Sequence, residues 1–352
     1  MFRWNLLRRL STPARMLCLA AAMAWGSAAP AQETSGTASV VRIGHATTGS
    51  MNQSAGLLLE ARSDLLKKRG LTVAWSDFSA NPNNCISALI AGHVDVCTHG
   101  FANMTMANAR GAKLRALAAY SRPQISILVS KKAAAQRGLD PSAPLATRVA
   151  ALKGLSIARP PRGTTGYTTL ILLLASAGLK IEHFGVSHEL TDPTAMAAGL
   201  KHERWEAAAW SSGPIEQALV DGSAHLWITL PRDAVTVSAF PTHGLVASDE
   251  FANRHPQAVR MLHDAVDESI RLLKDRQSGA VDDLQRRFFP KMDPALFRES
   301  IHQALDALTP DASISSDGFE RLRRFTAAGA TGGSFDAISY QASVDPIARR
   351  DR

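Results

Sequence analysis

Two short loops in this chain share a composition suited to holding an anion. Thr47-Thr48-Gly49-Ser50 follows Ile43-Gly44-His45-Ala46 and leads into an apolar helical pattern ending at Gly70. Arg162-Gly163-Thr164-Thr165-Gly166 follows Ser156-Ile157-Ala158 and leads into a second, ending at Gly178. The first turn of a helix leaves N–H groups unpaired and carries the positive end of the helix dipole. Hydroxyl side chains at that point add donors, so an anionic or oxygen-rich ligand fits. Three further segments fall at comparable positions: Asn81 to Asn84, Thr98-His99-Gly100 and Trp210-Ser211-Ser212. The candidate ligand contacts are Thr47, Thr48, Ser50, Asn81, Asn84, Thr98, His99, Arg162, Thr164, Thr165, Trp210 and Ser211. None is a carboxylate, which favours an anion over an amine. Any one Thr or Ser before a helix is commonly a structural cap. The agreement of five segments is what carries the reading. Trp210 offers an apolar wall, whereas Trp75, Trp205 and Trp227 are read as core.

Catalytic patterns are missing from the sequence. It has no Gly-x-Ser-x-Gly, no His-Glu-x-x-His and no Walker loop. Nor does it show the paired carboxylates of a glycosidase. His93 and His99 bring no third ligand into view, so no metal is expected. His183 and His188 read as surface residues. The expectation is a protein that is not an enzyme and carries no cofactor.

The elements that must position these loops alternate between strand and helix. Strands are expected at 40–43, 71–75, 94–97, 114–120 and 125–130, with helices at 55–69 and 103–110 between them. After a connection at 131–149 the pattern restarts. Strands follow at 155–158, 181–190, 206–210, 227–230 and 234–239, with helices at 168–177, 193–201 and 214–221. Alternation of this kind implies a parallel sheet covered on both faces. From His255 the chain reads as helical. Val259, Leu262, Val266, Ile270 and Leu273 fall on one apolar stripe. Helices are also expected at 280–289, 294–308 and 317–327.

At 352 residues, 45% of them hydrophobic, the chain is globular and long enough for two domains. The first 31 residues hold Arg3, Arg8, Arg9 and Arg15, no acid, an apolar stretch from Met16 to Trp25, and Ala29-Pro30-Ala31. That is the pattern of a secretory signal peptide cut near Ala31. The formal charge of +8 less these four arginines leaves +4 on the rest. The remaining Lys and Arg are interspersed with acids, so no nucleic-acid partner is expected. A periplasmic monomer is expected, with Cys85 and Cys97 left after processing. They stand at a helix start and a strand end on one sheet edge. We read them as two separate buried thiols, with a disulfide as the alternative that an oxidising compartment permits.

Several stretches resemble the periplasmic substrate-binding proteins of ABC importers, in the sulfonate/taurine/nitrate-type group with its NMT1-like domain. Residues 88–95 give an apolar helix, a Gly and an Asp opening a strand. Leu152-Lys153-Gly154-Leu155-Ser156-Ile157 is similar to that group's entry into its second lobe. Ala207 to Trp210, followed by Pro214, is similar to its strand ending in a ligand-facing aromatic. Glu206 stands where the group usually has Asp.

The resemblance implies an α/β, type II periplasmic-binding-protein fold: two α/β lobes with mostly parallel sheets, joined by a two-crossing hinge. Lobe 1 would take 32–130 and 239–330, lobe 2 would take 131–238, and 331–352 would be a loosely packed tail. The crossings are expected near 130–132 and 236–240. The implied function is capture of a small organic anion in the interlobe cleft and delivery to an ABC permease. Two alternatives are a ligand sensor that presents its bound form to a receptor or kinase, and a thiamine-pyrimidine-synthase-like enzyme or pyrimidine-precursor binder. The enzyme's Cys-rich motif is absent here.

Overall fold

The computed structural model describes residues 40–350, apart from Gly163, Pro231 and residues 331–333. The signal peptide and its cleavage site lie outside the described residues. Two five-stranded sheets, each covered by helices, form the two lobes. The first has the order β2-β1-β3-β10-β4, from β1 (Val41–His45), β2 (Val73–Asp77), β3 (Val96–Gly100), β4 (Leu114–Ser121) and β10 (His243–Ser248). The second has the order β7-β6-β8-β5-β9, from β5 (Ile125–Ser130), β6 (Ser156–Arg159), β7 (Val186–Glu189), β8 (Ala207–Trp210) and β9 (Ala224–Leu230).

Each sheet is mixed. In the first, β1 runs parallel to β2 and β3, while β10 runs antiparallel to β3 and β4. In the second, β6 runs parallel to β7 and β8, while β5 runs antiparallel to β8 and β9. The two sheets are alike in plan, matching the doubled loops: a parallel trio bordered by an antiparallel strand that arrives from the other lobe.

That antiparallel strand corrects two expectations. β5 pairs with β8 and β9, so it belongs to the second lobe. The chain therefore leaves lobe one at 122–124, and the crossing expected at 130–132 is inside lobe two. Ser130 instead N-caps the helix Lys131–Arg137, accepting the N–H of Ala133. The return runs between Leu230 and His243. Residues 234–239 form turns there, and the strand comes later, as β10. The continuous buried run Gly244-Leu245-Val246-Ala247 suits a strand covered on both faces of the sheet.

The helical C-terminal third packs back on lobe one. In the helix Pro256–Lys274, the stripe Val259, Leu262, Val266, Ile270 and Leu273 is buried. Full burial of each such side chain contributes about 1.5–3 kcal/mol. The expected helix 55–69 is two pieces, Ser54–Ala61 and Asp64–Lys67, broken where Arg62 leaves helical geometry. The tail is packed where it is described. Phe335, Ile338, Val344 and Ala348 join the lobe-one core, and β12 (Arg349–Arg350) pairs with β11 (Ile314–Ser315). The apolar spacing within 335–348, masked by Gly and Ser upstream, is the physical reason it is not loose.

Candidate functional site

The carboxyl ends of β1 and β3 and the amino end of β10 meet at one edge of the first sheet, because β10 is antiparallel and His243 sits opposite Gly100. A cavity of about 160 Å³ lies there. Ala46 and Thr47 follow β1, His99 and Gly100 end β3, Gln53 comes from the turn Met51–Gln53, and Thr242 and His243 open β10. Asn103 comes from the helix Phe101–Asn108, and Pro82 closes a corner. The second lobe supplies Thr165, the first residue of the helix Thr165–Ser176, whose first-turn N–H groups and positive dipole end therefore stand at this wall. Leu322 and Phe325 complete the lining. They lie three residues apart on one face of the helix Ser316–Gly329. That helix packs on both Phe101–Asn108 and Thr165–Ser176. Its end can come close to the second lobe because Gly329 has no Cβ, which would lie 2.9 Å from Thr168 Oγ1.

Of the sequence candidates, the cavity gathers Thr47, His99 and Thr165. Thr98 is fully buried one residue away and bonds His45 Nδ1 through Oγ1 at 3.1 Å. Thr164 is an N-cap, accepting the Tyr167 N–H at 3.2 Å. Thr48 turns to Ser79 and Asp77 and lines a separate recess with His45, Trp75 and Arg287. Ser50 precedes the turn Met51–Gln53 without capping it. Asn81 and Asn84 are exposed, and it is Pro82 between them that reaches the cavity. Arg162 is 64% exposed, lies 3.8 Å from Glu189 and sits over the Tyr167 ring. Trp210 and Ser211 are half-buried outside the cavity's walls, Trp210 packing on the second lobe's core.

Thr242 and His243 were not legible as site residues, because the strand they open was not. The signal available was the Gly-Leu-Val-Ala run just after them. Leu322 and Phe325 carry no local sign of a site at all. A second, larger groove of about 920 Å³ runs between Thr165–Ser176 and Ser316–Gly329 and shares Phe325 with the cavity. Its walls are mainly apolar, with Ile171, Leu172, Val237 and Phe240 among them.

Among the described residues, no Lys, Arg, Asp or Glu lines the small cavity. Burial lowers the pKa of His99, against hydrogen bonds to Pro82 and Gly100 that raise it. Burial, helped by the neighbouring His99, pushes His243 down to about 4. Both imidazoles are thus neutral at pH 7. Below the cavity, Cys85 and Cys97 are joined in a disulfide, with Cα atoms 6.2 Å apart. This corrects the expectation of two free thiols: the helix start and the strand end bring the two residues within bridging distance. Among the described residues, no group of three or more His, Cys, Asp or Glu could hold a metal ion.

Residues 38–282 match the NMT1-like family. The chain belongs to that family. No curated protein matches the sequence. Among solved structures, it is similar to the periplasmic aliphatic sulphonate binding protein SsuA from Escherichia coli. Identity is 18%, coverage 82% of this chain and 91% of the other, and TM-score 0.64. The alkanesulfonate-binding protein SsuA from Xanthomonas axonopodis pv. citri, bound to MOPS, is similar at 19% identity, 87% and 97% coverage and TM-score 0.59. The periplasmic nitrate-binding protein NrtA from Synechocystis PCC 6803 gives 15%, 86%, 83% and 0.56. At these identities the likeness establishes the periplasmic-binding-protein fold. The NMT1-like match ends before the helix Ser316–Gly329, which carries Leu322 and Phe325.

Proposed function

We propose that this chain is an exported, periplasmic solute-binding protein that captures a small organic anion between its lobes and delivers it to an ABC permease. One observation carries the reading: the cavity takes Thr47, His99 and Gly100 from one lobe and Thr165 at a helix N-terminus from the other, with no carboxylate in its lining. Neutral donors and a positive helix end select an anion and reject an amine, whose charge would find no partner there. With walls from both lobes and two crossings between them, hinge closure on the ligand is the natural motion. Sulfonates, sulfate esters and carboxylates are the ligand classes that this donor set suits. The sulfonate- and nitrate-binding relatives support the same choice. The disulfide accords with an oxidising compartment.

The test is a thermal-shift screen of the purified protein against small sulfonates, sulfate esters, carboxylates and nitrate, with cationic amines as the contrast. A ligand at a hundred times its Kd adds about 2.7 kcal/mol to stability, enough to raise Tm clearly. Stabilisation by an anion supports the reading. Stabilisation by amines alone overturns it.

A further inference from the structure

Among the described residues, the ionisable side chains lining the cavity are His99 and His243, and their hydrogen-bond partners differ. His99 Nδ1 accepts the Gly100 N–H at 2.8 Å, so its proton is on Nε2, which donates to the Pro82 carbonyl at 3.0 Å. Both nitrogens of His99 are committed to the neutral form. His243 differs. The Thr242 hydroxyl donates its one proton to the Ser121 carbonyl at 3.2 Å. With its proton on that carbonyl, the hydroxyl accepts from His243 Nδ1, 3.1 Å away, in the tautomer that carries the proton on Nδ1. In that tautomer the other ring nitrogen, Nε2, carries a bare lone pair, and no hydrogen bond from the described residues reaches it. Gly100 leaves room beside it, since even a Cβ there would lie 3.7 Å from Nε2.

We propose that His243 supplies the counter-charge for the ligand: an anion entering the cavity draws a proton from solvent onto Nε2, and the imidazolium N–H donates to the anion. The inference rests on the anion-binding reading and gives it a specific residue. It also makes good a deficit of that reading, because Arg162, the cation expected from sequence, is not in the cavity lining.

The groups around His243 do not offer a competing charge. β3 contributes His99 alone. The helices Asn83–Ile90 and Phe101–Asn108 and the turn Met51–Gln53 contain no charged residue. Arg122, just past β4, turns to the Asp306 carbonyl at 2.8 Å. Arg115 on β4 and the acidic start of the helix Asp249–Arg254 lie at the far end of β10. On the helix Ser316–Gly329, Arg321 pairs with Asp317 and Arg324 with Glu320. Burial beside His99 keeps the unliganded ring neutral, with a pKa of about 4. A bound anion raises it. Between the two values, affinity falls up to tenfold for each unit of rising pH, and each binding event takes up as much as one proton.

Isothermal titration calorimetry with ethanesulfonate, sulfate and nitrate, whose charges are constant from pH 5 to 8, reads both quantities. The titrations are run in buffers of different ionisation enthalpy. The expected result is proton uptake and pH-dependent affinity in the wild type, both lost in His243→Gln. Nitrogen-15 NMR of the wild-type imidazoles gives a second readout that does not depend on the variant folding: saturation turns a bare Nε2 into a protonated one. Anion binding without proton uptake, or uptake that persists in His243→Gln, overturns the role of His243 and leaves the anion-binding function standing. Failure of every anion at every pH, with a neutral solute or an amine binding instead, overturns the function itself and this inference with it.

Discussion

Ser300 of the first lobe and Glu216 of the second meet across the interlobe contact, with Ser300 Oγ 3.4 Å from the Glu216 carboxyl and donating to the Gly213 carbonyl at 2.9 Å. Glu216 is fully buried. Its Oε2 accepts the Gly213 N–H at 2.6 Å, while its Oε1 has no partner. Burial raises its pKa to about 8, against the hydrogen bonds that favour the charged form. At pH 7 the contact between the two lobes therefore holds a mainly neutral carboxylic acid.

The stability consequence follows from linkage. The folded pKa lies above the unfolded value of 4.5. The folded state thus prefers the proton, and its advantage is complete below about pH 4.5 and lost as pH rises to about 8. Urea unfolding should show stability declining by up to about 1.4 kcal/mol per pH unit across that window. Glu216→Gln keeps the shape without the titration, so its curve should lack this decline and exceed the wild type at pH 8. An identical pH dependence in the two proteins would sink the assignment.

The Cys85–Cys97 bridge closes a short loop, from the start of a helix to the end of β3. Closing a loop of that size limits the unfolded chain by about 3 kcal/mol in the chain-entropy estimate. Cys85→Ser with Cys97→Ser should lose about that much in urea unfolding, and a reductant should then have no further effect on stability. A double variant as stable as the wild type would show that the bridge contributes nothing.

Gly244 lets β10 lie close to its neighbours. A Cβ there would stand 2.0 Å from the Ala118 carbonyl oxygen and 2.2 Å from the Phe101 ring. Neither a strand backbone nor a fully buried ring can retreat far in a close-packed core. Gly244→Ala should therefore cost about 3 kcal/mol or more, at the upper end of ordinary overpacking. Because His243 is the adjacent residue, ligand affinity should fall as well. Unchanged stability on denaturant unfolding would mean that β10 is not held in this register.

The loops at Thr47 and Thr165 were legible in the sequence because small hydroxyl and glycine residues before an apolar helical pattern have a local physical cause, the unpaired N–H groups of a helix start. The apolar stripe of Pro256–Lys274 was legible for a similar reason, since its period is local. His243 was not. Its place depends on β10 running antiparallel between β3 and β4, a pairing between segments more than a hundred residues apart that no local pattern encodes. β5 was assigned to the wrong lobe for the same reason: its composition makes it a buried strand, and only its partners decide which sheet it joins. Leu322 and Phe325 look like any core residues of an amphipathic helix, and that helix's position alone brings them to the cavity.

Arg162 and Thr165 separate what the sequence suggested from what the fold arranges. The two residues flank the same loop, yet Thr165 lines the cavity and Arg162 stacks over Tyr167 at the surface. An exposed cation contributes mainly long-range attraction, which salt screens. A hydroxyl at a cavity wall contributes a hydrogen bond, worth about 0.5–1.5 kcal/mol net. Thr165→Val should therefore weaken binding of the anion that stabilises the protein by roughly 3- to 10-fold at any ionic strength, as calorimetry reads it. Arg162→Ala should change affinity by less than about twofold at physiological salt, and what change there is should vanish as salt is raised. The opposite ranking would mean that the loop swings Arg162 inward on binding and that the bound cleft differs from this one.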